Sequence, residues 1–215
     1  MTVKILATGL DFMQDGVFGT APMIESIMKD AKKSLHILAY VISSDAENFL
    51  TELERAIIKK IPTVLVIDNL QHQNQEVIKK LEYWNKTEKK FKLIDFNRKN
   101  KVQISSKYSG SCSKCGKSYN QNELIFFQQK NSQENIPQLI CKDKKCFMSN
   151  NGNMFPKKIL HAKVIVSDRD KAVVGSANFS WGGMTSHYEV GVYVDGDEAE
   201  TLAKMIESVA DSKEN

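Results

Sequence analysis

The stretch that decides the fold is HAKVIVSDRDKAVVGSANFSWGGMTSHYEVGVYV, residues 161–194. Apolar runs at 159–166, 172–175 and 188–194 each predict a β-strand. Side chains two residues apart on a strand share one face, so His161 and Lys163 are expected to point the same way. The polar residues Ser176, Asn178 and Glu189 fall at or just beyond the ends of these strands.

The rest of the chain alternates strands and helices. Strands are predicted at 3–7, 34–42, 63–67 and 91–96, and helices at 21–33, 45–60, 73–84 and 198–209, with Thr20 as a helix cap. Strands interleaved with helices predict an α/β fold with a parallel or mixed sheet. Because the pattern stops at residue 97 and resumes at 159, we expect one domain at 1–96 and 159–215, interrupted by an insertion at 97–158.

Composition places the chain among globular proteins. It has 215 residues, of which 41% are hydrophobic and 26% charged, and these values disfavour disorder. No run approaches the roughly 18–20 apolar residues that span a membrane, and the N-terminal apolar run is too short for a secretory signal. We therefore expect a cytoplasmic protein that does not bind membranes.

The charge is unevenly distributed. Residues 97–160 contain twelve basic and three acidic side chains, a net charge of +9, whereas the chain as a whole carries +4. A basic segment within an acidic body is typical of a protein that binds a polyanion with one part. A lysine-rich, solvated loop is the alternative.

All four cysteines lie in this basic segment, as Cys112-x2-Cys115 and Cys141-x4-Cys146. Two close pairs predict a small zinc-ribbon-like module around a tetrahedral Zn²⁺. Four sulfur ligands leave no open position for chemistry, so the zinc is expected to be structural. Two disulfides or four unrelated thiols are the alternatives, and disulfides require an oxidising compartment.

The polar residues of 161–189 combine into a set suited to phosphate chemistry. An imidazole can act as a nucleophile, and a lysine and an amide can hold the non-bridging oxygens. A carboxylate can orient the imidazole. We expect these groups to meet at one edge of the sheet.

The spacing of these residues resembles the HKD motif of the phospholipase D superfamily. The residues that carry the resemblance are His161, Lys163, Asp168, Ser176, Asn178 and Glu189. The resemblance implies a phospholipase D-like mixed sheet flanked by helices, and phosphodiester hydrolysis through a covalent phosphohistidine without a catalytic metal. It also implies that His161 is the nucleophile or its acid–base partner, that Lys163 and Asn178 hold the phosphate, and that Ser176 assists. Glu189 would bond the imidazole, and Asp168 would be a support grouped with the catalytic residues.

That mechanism needs two such motifs, and the sequence contains one. His36 lies in an apolar run and is expected to be a core residue. His72 lies in a polar turn, and His187 has no accompanying lysine. A two-fold axis beside His161 would bring two copies of the motif together. We therefore expect an obligate homodimer with one composite active site.

The resemblance leaves the substrate open, and three features favour nucleic acid, with DNA preferred over RNA. The chain is short and has one motif, like the small nucleases of the superfamily, and its insertion is basic. Aromatic residues that can stack bases are interleaved with the lysines of the insertion: Tyr108, Tyr119, Phe126 and Phe127. Lys114, Lys117 and Trp181 are candidate substrate-binding residues. An endoribonuclease similar to the Zucchini type and a phospholipid phosphodiesterase are alternatives. A zinc-dependent nucleic-acid-binding module without activity is the non-enzymatic alternative.

Overall fold

The computed structural model describes residues 2–68, 70–96, 103–113, 115–128, 138–141 and 159–214. The chain divides into two compact units. One contains Met1–Arg98 with Ile159–Asn215, and the other contains Lys99–Lys158. The larger unit holds the main sheet and the residues singled out around His161.

The elements of the described residues are as follows. The strands are β1 Val3–Thr8, β2 Val17–Gly19, β3 Leu35–Ala39, β4 Thr63–Ile67, β5 Phe91–Asp95, β6 Gln103–Ser105, β7 Gly110–Ser111, β8 Ser118–Tyr119, β9 Leu124–Gln128, β10 Gln138–Ile140, β11 Lys163–Ser167, β12 Lys171–Gly175 and β13 Glu189–Asp195. The helices are α1 Thr20–Asp30, α2 Glu47–Ile58, α3 Gln75–Thr87 and α4 Asp197–Glu214. Shorter turns are 3-10 at Leu10–Phe12 and Leu70–His72, and π-helical at Gly182–Ser186.

Eight strands of the larger unit form one mixed sheet in the order β2-β1-β13-β12-β11-β3-β4-β5. Strands β3, β4 and β5 are parallel, whereas β11, β12 and β13 run antiparallel to their neighbours. The parallel half comes from strand–helix alternation, because a parallel connection needs a crossover helix. This architecture confirms the predicted α/β fold with a mixed sheet flanked by helices.

Apolar side chains cover both faces of the sheet. On one face α1, α2 and α3 bury a large cluster that includes Ile24, Phe49 and Leu81. On the other face α4 packs small residues such as Ala199 and Ala203 against the strands, and both are fully buried. A row of alanines brings the helix close to the sheet, so this helix fixes the central strands from behind.

Two local predictions differ from the structure. The predicted strand at 159–166 begins only at Lys163, so His161 lies in the segment before β11. Thr20 is the first residue of α1 rather than its cap: Gly19 occupies the cap position, and no side chain bonds there. The short strand β2, which pairs in parallel with β1, was not predicted, because three residues carry too little periodicity.

The smaller unit contains two small sheets in its described part. One has the order β10-β9-β6, and the other pairs β7 with β8. The pairing of β7 with β8 frames the first cysteine pair.

Candidate active site and cysteine cluster

The register of the sheet brings the ends of three strands to one edge. Lys163, the first residue of β11, pairs with Gly175, the last residue of β12. Gly175 pairs in turn with Gly191, two residues into β13. The segments that carry His161, Ser176 and Glu189 therefore leave the sheet at the same edge.

His161 and Lys163 form the centre of this edge. The Lys163 Nζ atom lies 3.1 Å from each ring nitrogen of His161 and donates to the His161 carbonyl oxygen at 3.0 Å. The Tyr40 ring lies beside both, with its centroid 4.5 Å from that of His161 and 5.1 Å from Lys163 Nζ. The imidazole is exposed, whereas Lys163 is only 4% exposed. An exposed imidazole thus lies against a nearly buried ammonium group.

Burial changes the acidity of this cation. It lowers the pKa of the Lys163 ammonium below 10.5, and the charge of Glu189 opposes the shift. The carboxylate and the ammonium lie on the same face of the sheet, since Lys163 and Glu189 both alternate with residues that face α4. A phosphate anion beside Lys163 would supply a second negative charge to the desolvated ammonium.

Ser176 and Glu189 are joined across the edge. The Ser176 hydroxyl donates to Glu189 Oε2, and Ser176 Oγ accepts the Val190 N–H at 3.2 Å. Glu189 Oε1 also lies 3.9 Å from Nδ1 of the exposed His187. These contacts fix the carboxylate beside the site, while its predicted bond to the His161 ring stays a prediction.

Asn178 is held by the backbone around it. A Cβ atom at Gly183 would come within 2.5 Å of the Asn178 carbonyl oxygen, so only glycine allows the π-helical segment to pass this close. Within the described residues, the buried Asn178 Oδ1 has no hydrogen-bond partner. The buried hydroxyls of Thr8 and Thr20, at the same edge, also have no hydrogen-bond partner among the described residues. Unpaired buried polar atoms are uncommon in native proteins and cluster here at the proposed phosphate position.

Asp168 lies elsewhere. It follows the far end of β11, about 16 Å from Lys163 at roughly 3.3 Å per residue. Its carboxylate accepts the backbone N–H groups of Lys32, Lys33 and Ser34 at 2.6–3.0 Å. Burial alone would raise the pKa of this carboxyl, but the three N–H donors outweigh burial, and the pKa lies below 3.8. Asp168 therefore supports the loop before β3, and its expected grouping with the catalytic residues stays a prediction.

The other histidines have distinct surroundings. His36 is 4% exposed, and its Nε2–H donates to Glu207 of α4 at 2.9 Å, as expected for a core residue. Burial lowers the pKa of the His36 imidazole, and the hydrogen bond to Glu207 opposes that shift. His72 is exposed in its 3-10 turn.

The predicted substrate-binding residues are only partly described. Trp181 is 57% exposed and lines a cavity of about 500 Å³ beside α1 and α2. Lys117 is exposed in the smaller unit, and Lys114 lies outside the described residues.

Three cysteines of the smaller unit come together. The Sγ atoms of Cys112, Cys115 and Cys141 lie within 4.8 Å of one another, and those of Cys115 and Cys141 are 3.6 Å apart. The Gly116 N–H donates to the Cys112 carbonyl at 2.9 Å with Gly116 at φ 73°, which closes the turn of the first pair. Thiolates around a tetrahedral Zn²⁺ lie about 3.8 Å apart, from a Zn–S distance of about 2.3 Å. The cluster is compatible with a metal site, while the predicted fourth ligand, Cys146, lies outside the described residues.

The polar side chains at this edge of the sheet form one group, here called the edge cluster: His161, Lys163, Ser176, Asn178 and Glu189. The fold and the edge cluster define the class as a phospholipase D-like protein, related to hydrolases of phosphodiester bonds. Residues 24–210 match the family model described as "Cardiolipin synthase, PLD-like domain". Because this match covers most of the chain, the protein belongs to that family.

Solved structures with the same fold agree with this membership. The phospholipase D family member Nuc from Salmonella typhimurium superposes with a TM-score of 0.53 at 15% identity, over 99% of this chain and 95% of Nuc. NucT from Helicobacter pylori gives a TM-score of 0.54 at 14% identity, over 99% and 98% of the two chains. At identities this low, the superpositions show a shared fold and nothing more specific.

A sequence relative matches locally. The DISARM protein DrmC of Bacillus paralicheniformis (strain ATCC 9945a / NCIMB 11709 / CD-2) is 49% identical over 47 residues. The match spans 22% of this chain and only 20% of the length of DrmC.

Sequence reasoning missed several residues at the edge. Tyr40 lies within the predicted strand 34–42 and directly follows the observed β3, and an aromatic residue in an apolar run gives no chemical signal. Thr8 and Thr20 approach Glu189 and Lys163 through the sheet register and through α1. Only the pairing of distant segments reveals them.

None of the described helices is long and apolar enough to cross a membrane.

Proposed function

We propose that this protein is a metal-independent endonuclease that cleaves DNA through a covalent phosphohistidine on His161. The observation that carries the proposal is the contact between His161 and the desolvated Lys163. Ser176, Asn178 and Glu189 meet at the same edge. A cation beside an exposed imidazole suits attack on a phosphodiester, because it attracts the anion and stabilises the charge that develops on its oxygens.

In the first step a ring nitrogen of His161 attacks phosphorus. A P–N bond forms, the P–O bond to the leaving nucleoside breaks, and a second imidazole supplies the proton that the leaving oxygen takes up. Lys163 and the Asn178 amide hold the non-bridging oxygens, which keep their negative charge throughout.

In the second step water attacks the phosphohistidine. The second imidazole, now neutral, accepts a proton from the water as the new P–O bond forms and the P–N bond breaks. The products are a phosphomonoester and free His161, so the protons balance over the two steps. In this scheme Glu189 orients an imidazole and Ser176 keeps the carboxylate in place.

The second imidazole comes from a second copy of the chain in this proposal. Of the four histidines, His36 is buried against Glu207, and neither His72 nor His187 has an accompanying lysine two residues later. The β1–β13 end of the sheet exposes apolar side chains on the face that carries Val194, opposite to the face of Lys163 and Glu189. These are Val3, Ile5 and Val190, each about half exposed. An exposed apolar strip suits a self-complementary two-fold interface.

The choice of nucleic acid rests on charge. The segment at 97–160 carries a net charge of +9. A basic segment that binds a nucleic acid backbone releases counterions, and this release favours binding. In the proposal Zn²⁺ bound by Cys112, Cys115, Cys141 and Cys146 folds this segment and takes no part in the chemistry. DNA is proposed ahead of RNA, and phospholipid is the competing substrate that the assay includes.

The test compares the wild-type chain with His161→Ala in EDTA. Labelled single- and double-stranded DNA and RNA and a phospholipid are the substrates, and His72→Ala is the matched control, because it removes an exposed imidazole that no lysine accompanies two residues later. We expect DNA cleavage that His161→Ala abolishes and His72→Ala retains. Reactions quenched in alkaline denaturant should contain a phosphoryl adduct on His161 by mass spectrometry, because the P–N bond is stable in base and hydrolyses in acid.

Three results would overturn parts of this proposal. Cleavage that survives His161→Ala removes the nucleophile. Hydrolysis of phospholipid alone replaces the substrate, and a fully active monomer in light scattering removes the composite site. DNA binding without any hydrolysis by wild type would favour the non-enzymatic binding module.

A further inference from the structure

A cavity next to the edge cluster has the size of a ligand site. It measures about 500 Å³, within the range of about 300–1,000 Å³ that small-molecule sites occupy. Its walls include apolar side chains from α1 and α2, namely Ile24 and Phe49, and the indole of Trp181. Ile24 also lines the small cavity that contains Lys163, so this side chain separates the larger cavity from the phosphate position.

Trp181 supplies an aromatic wall on a held backbone. Its backbone N–H donates to Asp45 Oδ1 at 3.1 Å, and its carbonyl accepts the Thr185 hydroxyl at 2.6 Å. Just before it, Phe179 exchanges backbone hydrogen bonds with the segment after β3: its carbonyl accepts from the Ser43 N–H at 3.0 Å. The residue is 57% exposed. An exposed indole on a hydrogen-bonded backbone offers a stacking surface.

The charged groups of the cavity are carboxylates. Glu25, Asp45 and Glu47 contribute them, and the described lining residues include no lysine, arginine or histidine. The side-chain donors of Asn48 and Thr185 are already bonded to Glu25 and to the Trp181 carbonyl. Glu25 Oε1 accepts from Asn48 at 2.7 Å, and Asp45 accepts from Trp181, whereas Glu47 is exposed at the start of α2. Such a rim repels a second phosphate and favours a flat group that presents N–H donors.

A guanine base satisfies these conditions best. It has a π-face for Trp181, and its N1–H and N2–H groups are adjacent, so one carboxylate can accept both. The other bases place an acceptor next to their N–H donor on the pairing edge. To enter the cavity the base must leave its stack, which is least costly in a single strand.

We propose that the cavity between α1, α2 and Trp181 binds a guanine base unstacked from a single strand, next to the phosphodiester held at Lys163. This inference rests on the proposed nuclease function and adds to it a base preference and a strand preference. Trp181 supplies the stacking surface, and the carboxylates, Glu47 foremost, select the base.

The test uses short single-stranded oligothymidylates that carry one deoxyguanosine or one deoxyinosine, which lacks the N2 amino group. Hydrolysis of bis(4-nitrophenyl) phosphate, which has no base, measures the phosphodiester chemistry alone. We expect wild type to cleave beside deoxyguanosine about five-fold or more faster than beside deoxyinosine, because a base contact of this kind discriminates by at least that factor.

Variants separate the base from the phosphate. Trp181→Ala should lower kcat/KM on the guanine substrate, relative to bis(4-nitrophenyl) phosphate, by about ten-fold. Trp181→Phe, which keeps a ring, should restore most of that loss. Glu47→Gln should reduce the preference for guanine over inosine, whereas Glu198→Gln, a matched change in the first turn of α4, should retain it.

The outcomes distinguish this inference from the function on which it rests. If bis(4-nitrophenyl) phosphate is hydrolysed through His161 but guanine and inosine are cleaved equally in wild type, the nuclease stands and the base site is refuted. If no phosphodiester is hydrolysed, the nuclease function fails. Fluorescence anisotropy of the two oligonucleotides then decides the base site, since equal affinities refute it.

Discussion

Removing the charge of Asp168 should destabilise the protein without changing its chemistry. The carboxylate accepts three backbone N–H groups, from Lys32, Lys33 and Ser34, at 2.6–3.0 Å. Hydrogen bonds to a charged acceptor contribute about 1.5–3 kcal/mol each, and neutral ones about 1 kcal/mol. Asp168→Asn keeps one acceptor oxygen and loses the charge, so we expect a loss of about 2 kcal/mol from the free energy of unfolding, allowing for partial exposure.

Asparagine is the informative replacement because Asp168 has φ 56°, a left-handed conformation that asparagine also tolerates. The backbone therefore stays unstrained, and the loss reports on the carboxylate. For a chain of this size about 2 kcal/mol lowers Tm by roughly 4–8 °C. Asp170→Asn, an exposed aspartate two residues later in the same turn, is the matched control and should leave Tm within about 1 °C.

The assay is thermal unfolding, followed by circular dichroism from pH 7 to pH 3. The folded pKa of Asp168 lies below 3.8, so its stabilisation is present above the unfolded pKa and is lost as pH falls through the folded value. The gap in Tm between wild type and Asp168→Asn should therefore close in acid. An unchanged Tm at pH 7, or a more than ten-fold loss of hydrolysis without a change in Tm, would contradict the assignment of Asp168 as a support.

Three further predictions concern the site, the core and the cysteines. Lys163→Arg should hydrolyse bis(4-nitrophenyl) phosphate no better than Lys163→Met does. The cavity that Lys163 lines holds only about 10 Å³ of free space, too little for the larger guanidinium. An arginine variant with activity within three-fold of wild type would contradict this packing. Acidification from about pH 6.5 should lower the Tm of wild type more than that of His36→Gln. Burial lowers the pKa of His36 in the folded protein, so the unfolded chain takes up the proton at a higher pH and is favoured as the pH falls. Parallel Tm profiles would exclude His36 as the titrating group. Cys112→Ser should abolish bound zinc, measured by atomic emission on the purified chain, and weaken DNA binding, and a zinc content equal to that of wild type would show that Cys112 is not a ligand.

The active-site edge could be predicted from sequence because its geometry is local. Residues two apart on a strand share a face, and the short turn between β11 and β12 returns the chain to the same edge. That reasoning places Lys163, Ser176 and Glu189 together without knowledge of the other strands. It fails for His161 only in detail, because β11 starts at Lys163, four residues after the apolar run begins at 159.

The supporting contacts could not be predicted, because they join residues far apart in sequence. Asp168 bonds to Ser34, 134 residues away, and His36 to Glu207, 171 residues away. The sequence contains no pattern that relates these pairs, since each follows from the strand order that places β11 beside β3. Asp168 was grouped with the catalytic residues on motif membership alone, and its hydrogen bonds show why a motif can retain a structural residue.

The burial of Lys163 links the fold to the proposed chemistry. An ammonium that is 4% exposed is costly unless negative charge lies near it, and among the contacts of the described residues only Glu189 supplies such charge. The neighbouring His161 offers hydrogen-bond acceptors but no charge while it is neutral. In the proposed chemistry a bound phosphodiester supplies the missing negative charge. Because the Lys163 ammonium is already desolvated in the free protein, binding of the anion does not add that desolvation cost.

The burial of Lys163 also excludes water from around the ammonium. Each contact between Lys163 and a phosphate oxygen is therefore stronger than the same contact at an exposed lysine. The small residue Gly175 beside Lys163 and the close approach of Gly191 leave this position to the lysine side chain, which is why the geometry of the sheet, rather than the loops, sets the site.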